Sequence, residues 1–308
     1  MSRIFEALQR SEAEKSGGTP LESMLATELL ESVDRDAPEP VLNVGQEQPF
    51  APQTVMPPPV VVAPELGQFQ SVPVAIAPES RLVSLFDKES LAAEKFRFLG
   101  VRLRQLQQTR PLKKLLITST LPEEGKSLVA ANLAATLARR KQQKVLLLEG
   151  DLRRPVLARQ FGHPHIPGMT EWLYEGSGPI NSIYYLDGLG FWFLPAGRPP
   201  ENPLELMQTG KLSSLLVQLT ASFDWIIIDS PPLLPLADTS VLARFADGVL
   251  LVVREGKTEK RQLQRGLTAL DRSNFLGVVV NGCTGTDHSN YYSRYSPGAA
   301  GSDNGTAK

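Results

Sequence analysis

Two observations predict an α/β domain: a mostly parallel sheet with helices on both faces, preceded by a largely disordered N-terminal extension. Continuous apolar runs of strand length alternate with helical patterns from Leu115 onward, the signature of strands buried on both faces. A Gly-Lys-Ser tripeptide, Gly125 to Ser127, stands between the first of these strands and a helix whose apolar positions Leu128, Val129, Leu133 and Leu137 recur at helical spacing.

Residues 1–35 read as short amphipathic helices. Ile4, Phe5 and Leu8 share one side of the first. Thr19-Pro20-Leu21-Glu22 opens the second as N-cap, proline at the first helical position and capping-box glutamate, ahead of a stripe of Leu21, Met24, Leu25 and Leu29. Ten of the 25 prolines fall between Asp36 and Glu79, so residues 36–80 are expected to be an extended, disordered linker. The globular domain is expected over 81–285, and a flexible tyrosine-containing tail over 286–308.

Residues 89–107 form the domain's first helix, with Leu91, Phe96, Phe98, Leu99, Leu103 and Leu106 as its apolar positions. Strands follow at Leu115–Thr118, Val145–Leu148, Phe191–Leu194, Trp225–Ile228, Val249–Val253 and Val278–Val280. In such sheets ligands bind at the carboxyl ends of the strands, and each polar motif of this chain falls there.

Strand, loop, Gly-Lys-Ser and helix together are the layout of a phosphate-binding P-loop. The loop residues Thr120, Leu121, Pro122, Glu123, Glu124 and Gly125, with Leu128 in the first helical turn, surround the phosphates. Their backbone N–H groups and the helix dipole favour negative charge. Lys126 reaches the β- and γ-phosphates, and the Ser127 hydroxyl ligates Mg²⁺. Thr120 stands where the full motif has glycine. At the end of the next strand, Glu149 and Asp151 are two residues apart, so both side chains are expected to face the phosphates. There they could accept a proton from an attacking hydroxyl. The run Trp225 to Ile228 ends in Asp229, a Walker B arrangement that places a carboxylate beside Mg²⁺.

The formal net charge of −1 gives no reason to expect nucleic acid as a partner. The single Cys283 excludes an internal disulfide framework and suits a reducing compartment. No apolar run approaches the roughly 20 residues that span a bilayer. The first residues lack a secretory signal. A cytoplasmic location is expected, with any membrane association through a partner.

The region from Leu82 to Cys283 resembles the bacterial tyrosine kinase (BY-kinase) family of capsule and exopolysaccharide export, P-loop proteins related to partition and septum-site ATPases. The family's Pro-Gly-Glu-Gly-Lys-Ser loop corresponds to Pro122-Glu123-Glu124-Gly125-Lys126-Ser127. Its Asp-x-Asp-Leu-Arg-Arg-Pro motif corresponds to Glu149-Gly150-Asp151-Leu152-Arg153-Arg154-Pro155. Leu194-Pro195-Ala196-Gly197, Asn202-Pro203, Ile228-Asp229-Ser230-Pro231-Pro232, Asp238 and Asp247-Gly248-Val249 follow in the family's order. The signature lysine of the partition ATPases falls at Leu121, which argues against that branch.

The resemblance implies ATP and Mg²⁺ as cofactors and Lys126, Asp151 and Glu149 as catalytic residues. It also implies autophosphorylation of a C-terminal tyrosine cluster, here Tyr291, Tyr292 and Tyr295, presented to a neighbour in a ring of subunits. Asn281, ending the last strand, is expected at the adenine. A separate transmembrane chain-length regulator, a polysaccharide co-polymerase, is the implied partner, holding the protein at the inner membrane, and protein tyrosines are the substrates. The chain departs from the family at Glu149 (aspartate there) and at Gly100, where the ring-forming Glu-x-x-Arg-x-x-Arg motif, otherwise carried by Glu94 and Arg97, has its last arginine. Its tyrosine cluster is also short. An ATPase switch without tyrosine phosphorylation and a catalytically silent regulatory subunit are the alternative readings.

Overall fold

The computed structural model describes residues 70–76, 81–140, 143–175 and 180–283. The N-terminal helices expected before residue 36, most of the linker and the tyrosines of the tail lie outside them.

Among the described residues eight strands form one sheet: β1 (Gln70–Pro73), β2 (Lys114–Ser119), β3 (Val145–Glu149), β4 (Tyr184–Asp187), β5 (Phe191–Leu194), β6 (Trp225–Asp229), β7 (Gly248–Arg254) and β8 (Phe275–Asn281). Their order is β1-β4-β5-β3-β6-β2-β7-β8. Every pairing is parallel except that of β4 with β5. The nine helices of the described residues are α1 (Val83–Phe86), α2 (Leu91–Thr109), α3 (Lys126–Ala138), α4 (Leu157–Gln160), α5 (Met169–Glu175), α6 (Pro203–Gln208), α7 (Gly210–Ser222), α8 (Asp238–Ala243) and α9 (Lys260–Ala269).

The strands' period of two sorts their apolar residues onto two cores. Leu115, Ile117, Val145, Leu147, Trp225 and Ile227 point to the face covered by α1 to α4. Leu116, Leu146, Leu148, Ile226 and Ile228 point to the face covered by α5 to α9. α3 is buried on nearly every side, because it lies between the sheet and α1 and α2. That is why its sequence is apolar all round.

Two strands were not read from the sequence. β1 lies inside the segment expected to be linker, which is a correction to that boundary. It is a four-residue edge strand ending at Pro73, a position where a missing N–H costs no ladder bond. β4 is equally short and runs antiparallel to β5, so it carries no long apolar run. The first long helix, Leu91–Thr109, begins and ends two residues later than the expected 89–107, because Ser90 caps it, its hydroxyl accepting from the Ala93 N–H at 3.2 Å.

The site depends on the strand order. β6 lies between β3 and β2, with Asp229 level with Glu149 on one side and Ile117 on the other. The ends of three strands distant in sequence therefore converge, and the loop after β2, the turn after β3 and the turn after β6 meet at one switch point.

Candidate active site

The loop between β2 and α3 takes a left-handed turn at Glu123 (φ 65°) and again at Gly125 (φ 96°). Glu123 is the only non-glycine with positive φ among the described residues. This conformation is uphill for any residue with a Cβ. The φ of Gly125 is one that residues with a Cβ rarely adopt, and a Cβ there would also lie 2.1 Å from Asn281 Nδ2. Together the two turns carry the chain from the buried strand to a helix whose first N–H groups open onto a cleft of about 590 Å³.

Pro122, Glu123, Gly125, Lys126, Ser127 and Leu128 line that cleft, as do Asp151, Arg153 and Arg154 from the turn after β3 and Pro232 from the turn after β6. Of the residues expected at the nucleotide, Thr120, Leu121, Glu124 and Asn281 are not among those that line the cleft. The Glu124 carboxylate is fully buried. It accepts from Thr120 Oγ1 at 2.8 Å, from the Leu121 N–H at 2.8 Å and from Thr258 Oγ1. Asn281 Nδ2 donates to the Glu124 carbonyl at 2.9 Å.

At the cleft floor, Lys126 Nζ lies 3.0 Å from Asp151 Oδ2, 3.5 Å from Asp229 Oδ1 and 3.2 Å from Ser127 Oγ. Burial works against the lysine's charge, but the facing carboxylates of Asp229 and Asp151 outweigh it and hold its pKa above the ordinary value. Burial pushes the Asp229 carboxyl up, opposed by Lys126 and by a hydrogen bond from Ser127. Asp229 Oδ2 is buried with no hydrogen-bond partner.

Thus the residues fit Mg²⁺: a serine hydroxyl and a carboxylate oxygen with spare acceptor capacity are the donor types this ion takes alongside phosphate and water. Among the described residues no cluster of three or more His, Cys, Asp or Glu side chains makes a self-sufficient metal cage.

Glu149 departs from expectation. Its carboxylate does not share the cleft with Asp151. It accepts from the Leu157 N–H at 2.6 Å and the Ala196 N–H at 3.1 Å, tying the start of α4 to the Leu-Pro-Ala-Gly loop. The i, i+2 rule fails because β3 ends at Glu149, and Asp151 already belongs to a turn in which Asp151 Oδ1 accepts from the Arg154 N–H at 3.1 Å. Burial raises the Glu149 pKa to about 7.

The sequence motif alone gives Arg153 no role. It forms a two-pronged pair with the buried Asp238, Nε to Oδ2 at 2.5 Å and Nη2 to Oδ1 at 3.1 Å, which fixes the turn after β3 against α8. The turn after β6 is held by Thr118 and Thr239, whose hydroxyls donate to the Pro231 carbonyl at 2.8 and 2.7 Å. Thr258 was missed, since a lone threonine after a strand carries no sequence signal of a contact 134 residues away.

A mostly parallel sheet with a glycine-lysine-serine loop, and with two aspartates around the lysine, defines a P-loop phosphate-binding domain. No family model matches the chain. It is 34% identical over 206 residues to the tyrosine-protein kinase YwqD of Bacillus subtilis, which covers 66% of this chain and 86% of that relative. It is 28% identical over 206 residues to the tyrosine-protein kinase Wzc of Salmonella typhimurium, over 66% of this chain and 28% of that much longer protein. The kinase domain of the Escherichia coli tyrosine kinase ETK superposes with a TM-score of 0.62 at 28% identity, over 65% of this chain and 79% of that one. The chain belongs to the bacterial tyrosine kinase family.

Proposed function

We propose that this protein is an ATP- and Mg²⁺-dependent protein-tyrosine autokinase that regulates exopolysaccharide or capsule synthesis. The observation that carries the reading is the convergence of Lys126, Asp151 and Asp229 around one buried ammonium at the floor of the cleft. Loop N–H groups and Lys126 bind the phosphates of ATP, and Ser127 and Asp229 would hold Mg²⁺, which would supply charge neutralisation for the transferring phosphate. Asp151, which lines the cleft and pairs with Lys126, takes the proton of an incoming tyrosine hydroxyl as the phenolic oxygen bonds to the γ-phosphorus and ADP leaves. Glu149 positions this machinery from behind.

The acceptors are Tyr291, Tyr292 and Tyr295. A separate transmembrane chain-length regulator is the partner that brings the protein to the inner membrane. No described helix is long and apolar enough to cross a membrane itself.

Intact mass tests the reading. The purified protein is stripped with a tyrosine phosphatase, freed of it, and incubated with ATP and Mg²⁺, beside Lys126→Ala and a triple Tyr291/Tyr292/Tyr295→Phe variant. Phosphate increments of about 80 Da are expected in the parent and in neither variant. Increments in the triple variant would move the acceptor. None in the parent, with a partner's cytoplasmic segment added, would leave an ATPase switch.

A further inference from the structure

The unit β7–α9–β8 grips the phosphate-binding loop from outside the cleft. Thr258, in the connection after β7, donates to the buried Glu124 carboxylate and accepts from the Arg254 N–H at 2.9 Å. Lys257 Nζ is 2.9 Å from the Glu123 carboxylate, and Arg254 Nη1 is 3.4 Å from the Glu123 carbonyl. Asn281, at the end of β8, holds the Glu124 carbonyl. In α9, a Cβ on Gly266 would come within 2.6 Å of Thr120 Cγ2, so this helix approaches the loop as closely as a glycine permits. None of Arg254, Lys257, Thr258, Gly266 or Asn281 lines the cleft.

We propose that β7–α9–β8 is a clamp that preorganises the loop, and that Thr258 is a positioning residue acting on ATP affinity through Glu124. The proposal rests on the nucleotide-site reading above. A loop binds phosphate tightly when its N–H groups already converge, because no ordering cost is then charged to the ligand. This loop holds a non-glycine residue in the left-handed region, a conformation that persists only where its surroundings enforce it. Glu124 is the joint through which that enforcement reaches the loop, since its carboxylate binds two donors of the loop and one of the clamp. Without the Thr258 hydroxyl, a buried carboxylate oxygen loses a donor and the loop loses its anchor to the clamp.

The test is calorimetric titration of the full chain with Mg²⁺-ATP, on the parent, Thr258→Val, Thr258→Ser and Lys126→Ala, with a melting curve for each. Thr258→Val removes the hydroxyl at nearly constant volume. It is expected to raise the Kd for ATP about tenfold or more and to raise KM for ATP more than it lowers kcat. Thr258→Ser is expected to stay within about twofold of the parent, since it restores the donor. Parent-like affinity in Thr258→Val, or loss in Thr258→Ser equal to that in Thr258→Val, overturns the clamp and leaves the nucleotide site standing. A parent that binds no better than Lys126→Ala overturns the nucleotide site and the clamp with it. Should Thr258→Val not fold, Gly266→Ala, which pushes a methyl from the clamp helix against Thr120 Cγ2, is expected to raise the Kd for ATP as well, and parent-like affinity in it overturns the clamp.

Discussion

At the scale of single residues, two positions in the site motifs separate backbone demands from chemical ones. Glu123 occupies a left-handed turn where the family motif has glycine, and its carboxylate makes an exposed ion pair with Lys257. Such pairs contribute little, whereas the left-handed conformation costs a non-glycine residue about 1 kcal/mol or more. Glu123→Gly is therefore expected to unfold at higher denaturant than Glu123→Ala by about 1 kcal/mol in urea titrations; equal midpoints would deny the strain. Glu149 carries the second lesson. Its folded pKa of about 7 lies above the ordinary 4.5, so the native state keeps a proton that the unfolded chain releases. The stabilising contribution is complete below about pH 4.5 and is lost as pH rises through 7, by about 3 kcal/mol in all. Glu149→Gln has no such proton. The stability difference between parent and variant should fall by that order from pH 4.5 to 8, and parallel profiles would contradict the assignment. Sequence showed both acids at a strand end. It could not show that the strand stops at Glu149, which turns one carboxylate to backbone N–H groups and the other to Lys126.

At the scale of elements, six strands and the first long helix were legible because each of those strands carries an unbroken apolar run, even the four-residue β5 and the partly buried edge strand β8. β1 and β4 were not, since Gln70-Ser71-Val72-Pro73 and Tyr184-Tyr185-Leu186-Asp187 carry no such run. Helix α2 shows what a motif comparison alone would misread. Gly100, where the family's ring motif has arginine, is buried in the seam between α2 and α3. A Cβ there would meet Thr136 Cγ2 at 3.2 Å, and the Arg104 guanidinium lies next to it. The departure is a packing requirement in this chain. Gly100→Arg is expected to cost about 1–3 kcal/mol in chemical denaturation rather than to supply a surface charge; a variant as stable as the parent would contradict that packing. Glu94 and Arg97 pair with each other on the exposed side of the same helix.

At the scale of the whole molecule, the strand order β3-β6-β2 turns three separate sequence motifs into one site, and the last βαβ unit braces it. The three motifs could be found from sequence because each ends an apolar strand. Their braces, Thr258 with Glu124 and Arg153 with Asp238, could not, because pairing across 134 and 85 residues depends on topology. Ligand linkage follows from the same arrangement. Mg²⁺-ATP at a hundredfold above its Kd should stabilise the fold by about 2.7 kcal/mol, a rise of several degrees in Tm that Lys126→Ala should lack. The most direct test of the account compares Asp151→Asn with the parent, measuring ATP binding and phosphate uptake by intact mass on the same samples. ATP binding within a fewfold of the parent with phosphate uptake reduced at least a hundredfold is the result expected of a carboxylate that takes the tyrosine proton. Phosphate uptake at the parental rate would contradict the assignment of this site as the centre of phosphoryl transfer.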